Sequence, residues 1–340
     1  MAYLVTANKY MKLSRPTLVK ISAYLILLLM LQGCKEAPGT WVNDKIEADK
    51  RTKFHELNNQ LLSALKSNNA LQLENIMSRE YLEMPGKNRQ IELCSIRMRE
   101  GKNFLLDEYY MVHPTPDPIS VKSFKYDINS YTISYNPLTR ERYLAFFTVQ
   151  YHGDKWLLSA VYNKYKYGWK VDDLELNPYT VGGKTAPELF KQAQQEYEKH
   201  YLVNAMTTMQ LSRSCALPSV LWRYDSQEEM DEFYSKIGDE ADKVYTFPIV
   251  VKQLPSKPAI IKIFTQNRDE GLMPNIYYIS KVSVNDTVAV KKEHDAMKKV
   301  IGLIMPGIDK GNRYIHYTVF NKMPDLKNKN TPQFDILDKY

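Results

Sequence analysis

Apolar residues along the chain follow two different spacings, and the second is established from about residue 120. From about Asp44 to Lys66, Phe54, Leu57, Leu61, Leu62 and Leu65 recur every three or four positions, which places them on one face of a helix. Asn68 and Asn69 end it. A second helix carries Leu73, Ile76 and Met77 and stops before Pro85-Gly86, a strong turn pair. A third, short helix sets Ile91, Cys94 and Met98 on one side.

Beyond residue 120 the period shortens to two. Val121–Tyr126, Tyr131–Tyr135, Arg142–Tyr151, Lys155–Tyr162 and Gly168–Leu176 read as strands. Their links are as short as Asn136-Pro137 and His152-Gly153-Asp154, which predicts an antiparallel meander. In Arg142–Tyr151 both alternating sets are mostly apolar, Tyr143, Ala145, Phe147 and Val149 against Leu144, Phe146, Thr148 and Gln150. That strand is expected at the sheet centre, covered on both faces.

Helical spacing returns at Thr185, where Thr185 and Glu188 form a capping box with Pro187 in the permissive first turn. The helix carries Leu189, Phe190, Ala193 and Tyr197, bends near His200-Tyr201, and continues through Ala205, Met206 and Met209. The pair resembles one tetratricopeptide-like hairpin; a helical connector is the simpler reading, because such repeats need neighbours to bury their faces. Ser226 and Glu229 form a second box before Met230, Phe233 and Ile237. Strands follow at Tyr245–Lys252, Ala259–Thr265 and Asn275–Val284. Then come a helix with Val290, Met297, Val300, Ile301 and Ile304 and a strand at Tyr314–Phe320.

The expected class is therefore α+β. Residues 44–177 would hold N-terminal helices and a curled antiparallel sheet, 178–220 a helical hairpin connector, 221–325 a second small α+β layer, and 326–340 a loose, Lys/Asn/Asp-rich tail. Helices followed by a curled sheet that ends in GWKVDDLEL resemble the nuclear-transport-factor-like cone fold. The resemblance implies a cavity on the sheet's inner face. It selects neither enzyme nor binder, since that family contains both.

One segment fits neither spacing. Ile21–Leu31 is apolar except for Ser22, follows Lys12, Arg15 and Lys20, and precedes the first acidic residue, Glu36. As a helix it would reach roughly 16 Å, about half a bilayer core, so it is too short to span. This is the layout of a secretory signal, and Met11 begins a more typical one than Met1. Leu31-Gln32-Gly33-Cys34 resembles the lipobox of bacterial lipoproteins. That resemblance implies removal of residues 1–33, diacylglycerol on the thiol of Cys34, and a tether over 34–43. Acyl chains at about 0.8 kcal/mol per buried CH₂ would then hold the protein on a membrane. Lys35 after the cysteine resembles the outer-membrane sorting class of many Gram-negative bacteria, so the expected location is the cell envelope, on the outer membrane, facing the periplasm or the surface. The bland alternative is an ordinary cleaved signal or an uncleaved anchor, with Cys34 incidental.

The signal also explains the charge. The chain is formally +7, but four of its 46 basic residues lie in 1–33, and the remainder is +3. That argues against nucleic acid as a partner. Export would allow a disulfide between Cys94 and Cys215; otherwise both are small buried hydrophobes. No CxxC pair or Cys/His cluster suggests zinc, and no cofactor motif stands out. Gly182-Gly183-Lys184-Thr185 echoes a phosphate loop, but the glycine needed five positions earlier is Pro178, so a turn and a helix cap are expected. Asp286-Thr287-Val288 resembles an O-glycosylation signal of some exported bacterial proteins; a helix cap by Asp286 or Thr287 is the simpler account.

The candidate binding residues cluster in Tyr162–Lys170. If extended, Tyr165, Tyr167 and Trp169 share one face and Lys164, Lys166 and Lys170 the other. Aromatic faces stack on sugars and peptides and lysines meet anions, so an envelope glycan or protein is the expected partner; a sheet covering its own core would look the same. The six histidines are scattered, and adjacent Asp172 and Asp173 point to opposite faces of a strand, so neither builds a catalytic pair. The functional expectation is a non-enzymatic binding lipoprotein. The alternative is a small-molecule hydrolase or isomerase that uses a cone-fold cavity.

Overall fold

The first apolar stripe forms α1 (Ala48–Ser67), which buries Phe54, Leu61, Leu62 and Leu65. Asn68 closes it in the left-handed region, at φ 49°, a conformation asparagine tolerates. The computed structural model describes residues 36–340, apart from 116, 124, 269–270 and 326–330. Within it, Thr40–Tyr340 group as one compact unit of the α+β class. Helices α2 (Ala70–Ile76), α3 (Arg79–Glu83) and α4 (Lys87–Glu100) follow α1. Asn69 caps α2 through Gln72 N at 3.1 Å, and Ser78 caps α3 through Tyr81 N at 3.0 Å.

In chain order the next strands are β1 (Gly39–Val42), β2 (Lys102–Val112), β3 (Ile119–Lys122), β4 (Tyr131–Tyr135), β5 (Glu141–Tyr151), β6 (Asp154–Tyr165), β7 (Gly168–Pro178) and β8 (Trp222–Tyr224). A five-stranded sheet runs β1-β2-β5-β6-β7, and β3-β4-β8 form a separate sheet of three. The meander expected from sequence thus holds only for β5-β6-β7. The strand expected at Val121–Tyr126 lies at Ile119–Lys122 and leaves with β4. The place beside β5 goes to β2, which the apolar pattern did not announce.

β5 is central and covered on both faces, as its double alternation requires. On one face Tyr143, Phe147 and Val149 pack with Phe54, Leu61, Cys94 and Met98 of the helices. On the other, Leu144 and Phe146 pack with Tyr131, Ile133 and Trp222 of the small sheet and with α5 (Ala186–Glu198), α6 (Leu202–Ser214) and α7 (Gln227–Val244). Each fully buried aromatic or leucine contributes about 2–3 kcal/mol of transfer free energy. The Thr185–Glu188 capping box forms, with Glu188 accepting from Thr185 N at 2.8 Å. The bend between α5 and α6 falls at His200, φ 62°. The Ser226–Glu229 box does not form: Ser226 sits at φ −87°, ψ 8°, outside the extended region from which a cap hydroxyl reaches the first turn. Residues 222–244 join this core rather than the second layer.

The second layer is a sheet in the order β13-β12-β11-β10-β9, from β9 (Ile249–Val250), β10 (Ala259–Arg268), β11 (Gly271–Ile279), β12 (Tyr314–Phe320) and β13 (Gln333–Lys339). β11 and β12 are parallel and joined through α8 (Thr287–Ile304) and α9 (Ile308–Gly311). Asp286 caps α8, accepting from Ala289 N at 3.0 Å. The strand expected over Tyr245–Lys252 shrinks to Ile249–Val250. The tail expected to be loose instead adds β13 antiparallel to β12, because Phe334 and Ile336 alternate toward the α8-side core. Among the described residues no helix is long and apolar enough to cross a membrane.

Candidate functional site

β6 and β7 meet in a two-residue turn, Lys166-Tyr167, closed by Gly168 at φ 115°. Only glycine enters that region without strain. In this hairpin Tyr165 pairs with Gly168 and Lys164 with Trp169, and paired residues of antiparallel strands share a face. The turn therefore shifts the phase of the alternation, and the expected aromatic row is not formed. Trp169 turns inward and meets Phe54 edge-on at 5.2 Å, while Tyr165 and Tyr167 stack on each other at 5.1 Å and 7°.

The lysines separate in the same way. Lys164 Nζ lies 6.0 Å from the Trp169 ring and donates to both Glu141 oxygens at 2.8 Å. Lys170 donates to the carbonyl of Asn75. Lys166 is exposed at the tip beside Tyr167, which is 61% exposed. Of the six candidate residues the fold brings Tyr165, Lys166 and Tyr167 together at the tip and assigns Lys164, Trp169 and Lys170 to holding the hairpin.

A polar network fixes the base of the tip. Tyr165 donates to Asp172 Oδ1 at 2.6 Å, and Asn163 Nδ2 donates to Asp172 Oδ2 at 2.6 Å. Arg142 Nε donates to Asn163 Oδ1 at 2.9 Å, and its guanidinium lies 4.4 Å from the Tyr135 ring centre. Burial raises the Tyr165 hydroxyl pKa, and the Asp172 carboxylate adds to it. Burial lowers that of Arg142. A bulge where Val161 and Tyr162 face Asp173 and Val171 leaves Asp172 as the extra residue, which frees it to reach Tyr165. Asp173 accepts from Leu174 N at 2.8 Å; burial first, then Glu175, pushes its carboxyl up to about 6.

Sequence reasoning missed a second polar cluster, on β2. Glu108 is fully buried and accepts from Arg51 Nε at 2.5 Å, His55 Nε2 at 3.1 Å and Tyr143 OH at 2.7 Å. Tyr143 OH in turn accepts from Asn58 Nδ2 at 2.7 Å. Burial and the nearby Glu108 carboxylate raise the Tyr143 pKa. Two signals were available: Arg51 and His55 stand one helical turn apart, and Asp107-Glu108 interrupts an apolar strand.

The sheet face toward α1, where a cone fold would hold its cavity, is packed with rings. Phe54 stacks on Tyr143 at 4.1 Å and 6°, and Tyr143 meets Tyr162 at 5.4 Å. Cys94 lies in this core and Cys215 in the core on the other face of the sheet; both thiols are free, so the disulfide allowed by export is not formed. Burial pushes each thiol up to about 12. Among the described residues no group of three or more His, Cys, Asp or Glu is placed to hold a metal ion. Cys34 and the rest of the lipobox lie outside the described residues. No family model, curated protein or solved structure matches the chain.

Proposed function

We propose that the chain is a cell-envelope lipoprotein, tethered by acyl chains on Cys34, whose folded part binds an envelope glycan without turning it over. The observation that carries the binding role is the division of the aromatic residues. Phe54, Tyr143, Tyr162 and Trp169 occupy the space a cavity hydrolase or isomerase would need, while the Tyr165–Tyr167 stack stands outside on the hairpin tip. An exposed aromatic face beside a lysine suits a sugar ring bearing an anionic group. Outer-membrane placement follows from the residues around Cys34, and the small charge of the remainder speaks against nucleic acid.

The anchor is tested by labelling cells with radioactive palmitate: label enters the wild type and not Cys34→Ala. A protein found soluble inside the cell, unlabelled and with its first thirty-three residues intact, removes the proposal. Binding is tested by retention on cell-wall glycan, where Tyr167→Ala should lose retention with an unchanged melting curve. Equal retention would remove the tip as the binding face, and turnover of a small substrate by the purified protein would favour the enzyme reading instead.

A further inference from the structure

The second layer carries a strand edge that its neighbour covers only in part. β9 pairs with β10 at Ala259 and Ile260 alone, and among the described residues no strand borders β10 on that side from Lys262 onward. Unpaired N–H and C=O groups along such an edge are a template for another strand.

A groove of about 280 Å³ runs beside this edge. Ile263, Phe264 and Thr265 all line it. Ile263 and Phe264 point to opposite faces of β10, so a groove that meets both reaches the strand's edge. Pro274 of β11, which pairs with Thr265, lines it too, so the groove also extends over the sheet face. The facing wall is helical, with Met206 from α6 and Gly238 and Asp242 from α7. Gly238 widens it: a Cβ there would meet nothing within 4 Å. Phe247, which also lines the groove, is 41% exposed.

Charge decides what can enter. α7 carries seven acidic residues against Lys236 and Lys243, and Asp239 and Asp242 are exposed. An acidic helix opposite an open strand edge, with apolar lining between them, complements an extended segment that alternates apolar and basic side chains. We propose that this groove binds such a segment of a partner protein, which adds as a strand to β10, places its apolar side chains against Met206 and Ile263, and turns lysine or arginine toward Asp239 and Asp242. The site is separate from the hairpin tip and stands whether or not that tip binds glycan.

The test is fluorescence anisotropy with the full chain in non-ionic micelles and a labelled Lys-Val-Lys-Val-Lys-Val-Lys peptide. The expected result is saturable binding that weakens with salt and is lost when alternate amides of the peptide are N-methylated. Gly238→Leu, which fills the groove, should weaken binding about tenfold or more because little of the contact surface remains. Asp242→Lys, a change at an exposed position, should weaken it as well and carries the test if Gly238→Leu does not fold. Tyr167→Ala should leave peptide binding unchanged. The proposal is overturned by no saturable binding, by equal binding of the N-methylated or Glu-Val peptide, or by insensitivity to both variants. Palmitate binding that Gly238→Leu abolishes, with the peptide not retained, would overturn it in favour of an acyl pocket. A dimer that this substitution dissociates would overturn it in favour of a second copy.

Discussion

Asp107 and Glu108 are neighbours in the chain, yet their carboxylates lie on opposite sides of the first sheet. Asp107 accepts from Tyr131 OH at 2.7 Å and pairs with Lys125 at 2.9 Å on the side of the small sheet. Glu108 takes Arg51, His55 and Tyr143 on the side of the helices. One side chain serves both residues: Asn43 donates to Asp107 Oδ1 at 3.2 Å and accepts from Glu108 N at 2.9 Å. Two adjacent acids in a buried strand thus tie both covering layers to it.

Glu108 should therefore matter more than any exposed ion pair. Glu108→Ala leaves Tyr143 OH without its acceptor and Arg51 without its partner. Arg51 and His55 are 35% and 42% exposed and can turn to water, so a loss of about 1–3 kcal/mol is expected, chiefly from the unsatisfied Tyr143 hydroxyl. Urea unfolding measures it, and a loss below about 1 kcal/mol would show that the cluster does not hold α1 to the sheet. Tyr143→Phe removes one hydroxyl and leaves Asn58 short of an acceptor, so about 1–2 kcal/mol is expected.

What the sequence revealed was local. The stripe of α1, the double alternation of β5 and the Thr185–Glu188 box each depend on residues within a few positions of one another, and each is found where the pattern places it. β2 was hidden because Asp107 and Glu108 break its apolar run, and the groups that make Glu108 tolerable, Arg51 and His55, come from a helix more than fifty positions earlier. β13 was hidden by composition: a Lys/Asn-rich approach masks the alternation of Phe334 and Ile336. At the hairpin the residue types were legible but their facing was not, because the two-residue turn resets which side chains share a side.

Trp169 and Tyr167 should consequently respond in opposite ways. Trp169→Ala removes a ring packed against Phe54 and is expected to cost about 2–3 kcal/mol, a partly buried large-to-small change. Tyr167→Ala lies at an exposed position, and its effect on stability should stay within about 0.5 kcal/mol. Paired melting curves check this. A large loss for Tyr167→Ala would mean that its ring supports the hairpin rather than standing free for a ligand.

The two core thiols give a chemical readout of packing. Cys94 is 0% and Cys215 1% exposed, and burial keeps both protonated near neutral pH. Iodoacetamide should leave both untouched in the native protein and modify both in urea without reductant. Mass spectrometry counts the additions, and failure to modify either one in urea until reductant is added would reveal a disulfide that the two separate cores do not permit.

Asp173 supplies a pH dependence whose sign can be derived. Its carboxyl titrates at about 6 in the folded chain against 3.8 for the free group, because burial and Glu175 disfavour its charge. Below 3.8 both states are protonated and the residue contributes nothing to the balance. Between 3.8 and 6 the unfolded chain has lost its proton while the folded chain keeps it, so stability falls as pH rises. Above 6 the folded state carries the whole penalty, about 2–3 kcal/mol for a difference of this size. Asp173→Asn retains an oxygen for Leu174 N and lacks the charge. It should be more stable than wild type at pH 7.5 by about 1–3 kcal/mol, and the gap should close by pH 3.5. Urea unfolding of both proteins at the two pH values decides it: a gap independent of pH would mean that Asp173 is solvated and the strand edge beside it open to water.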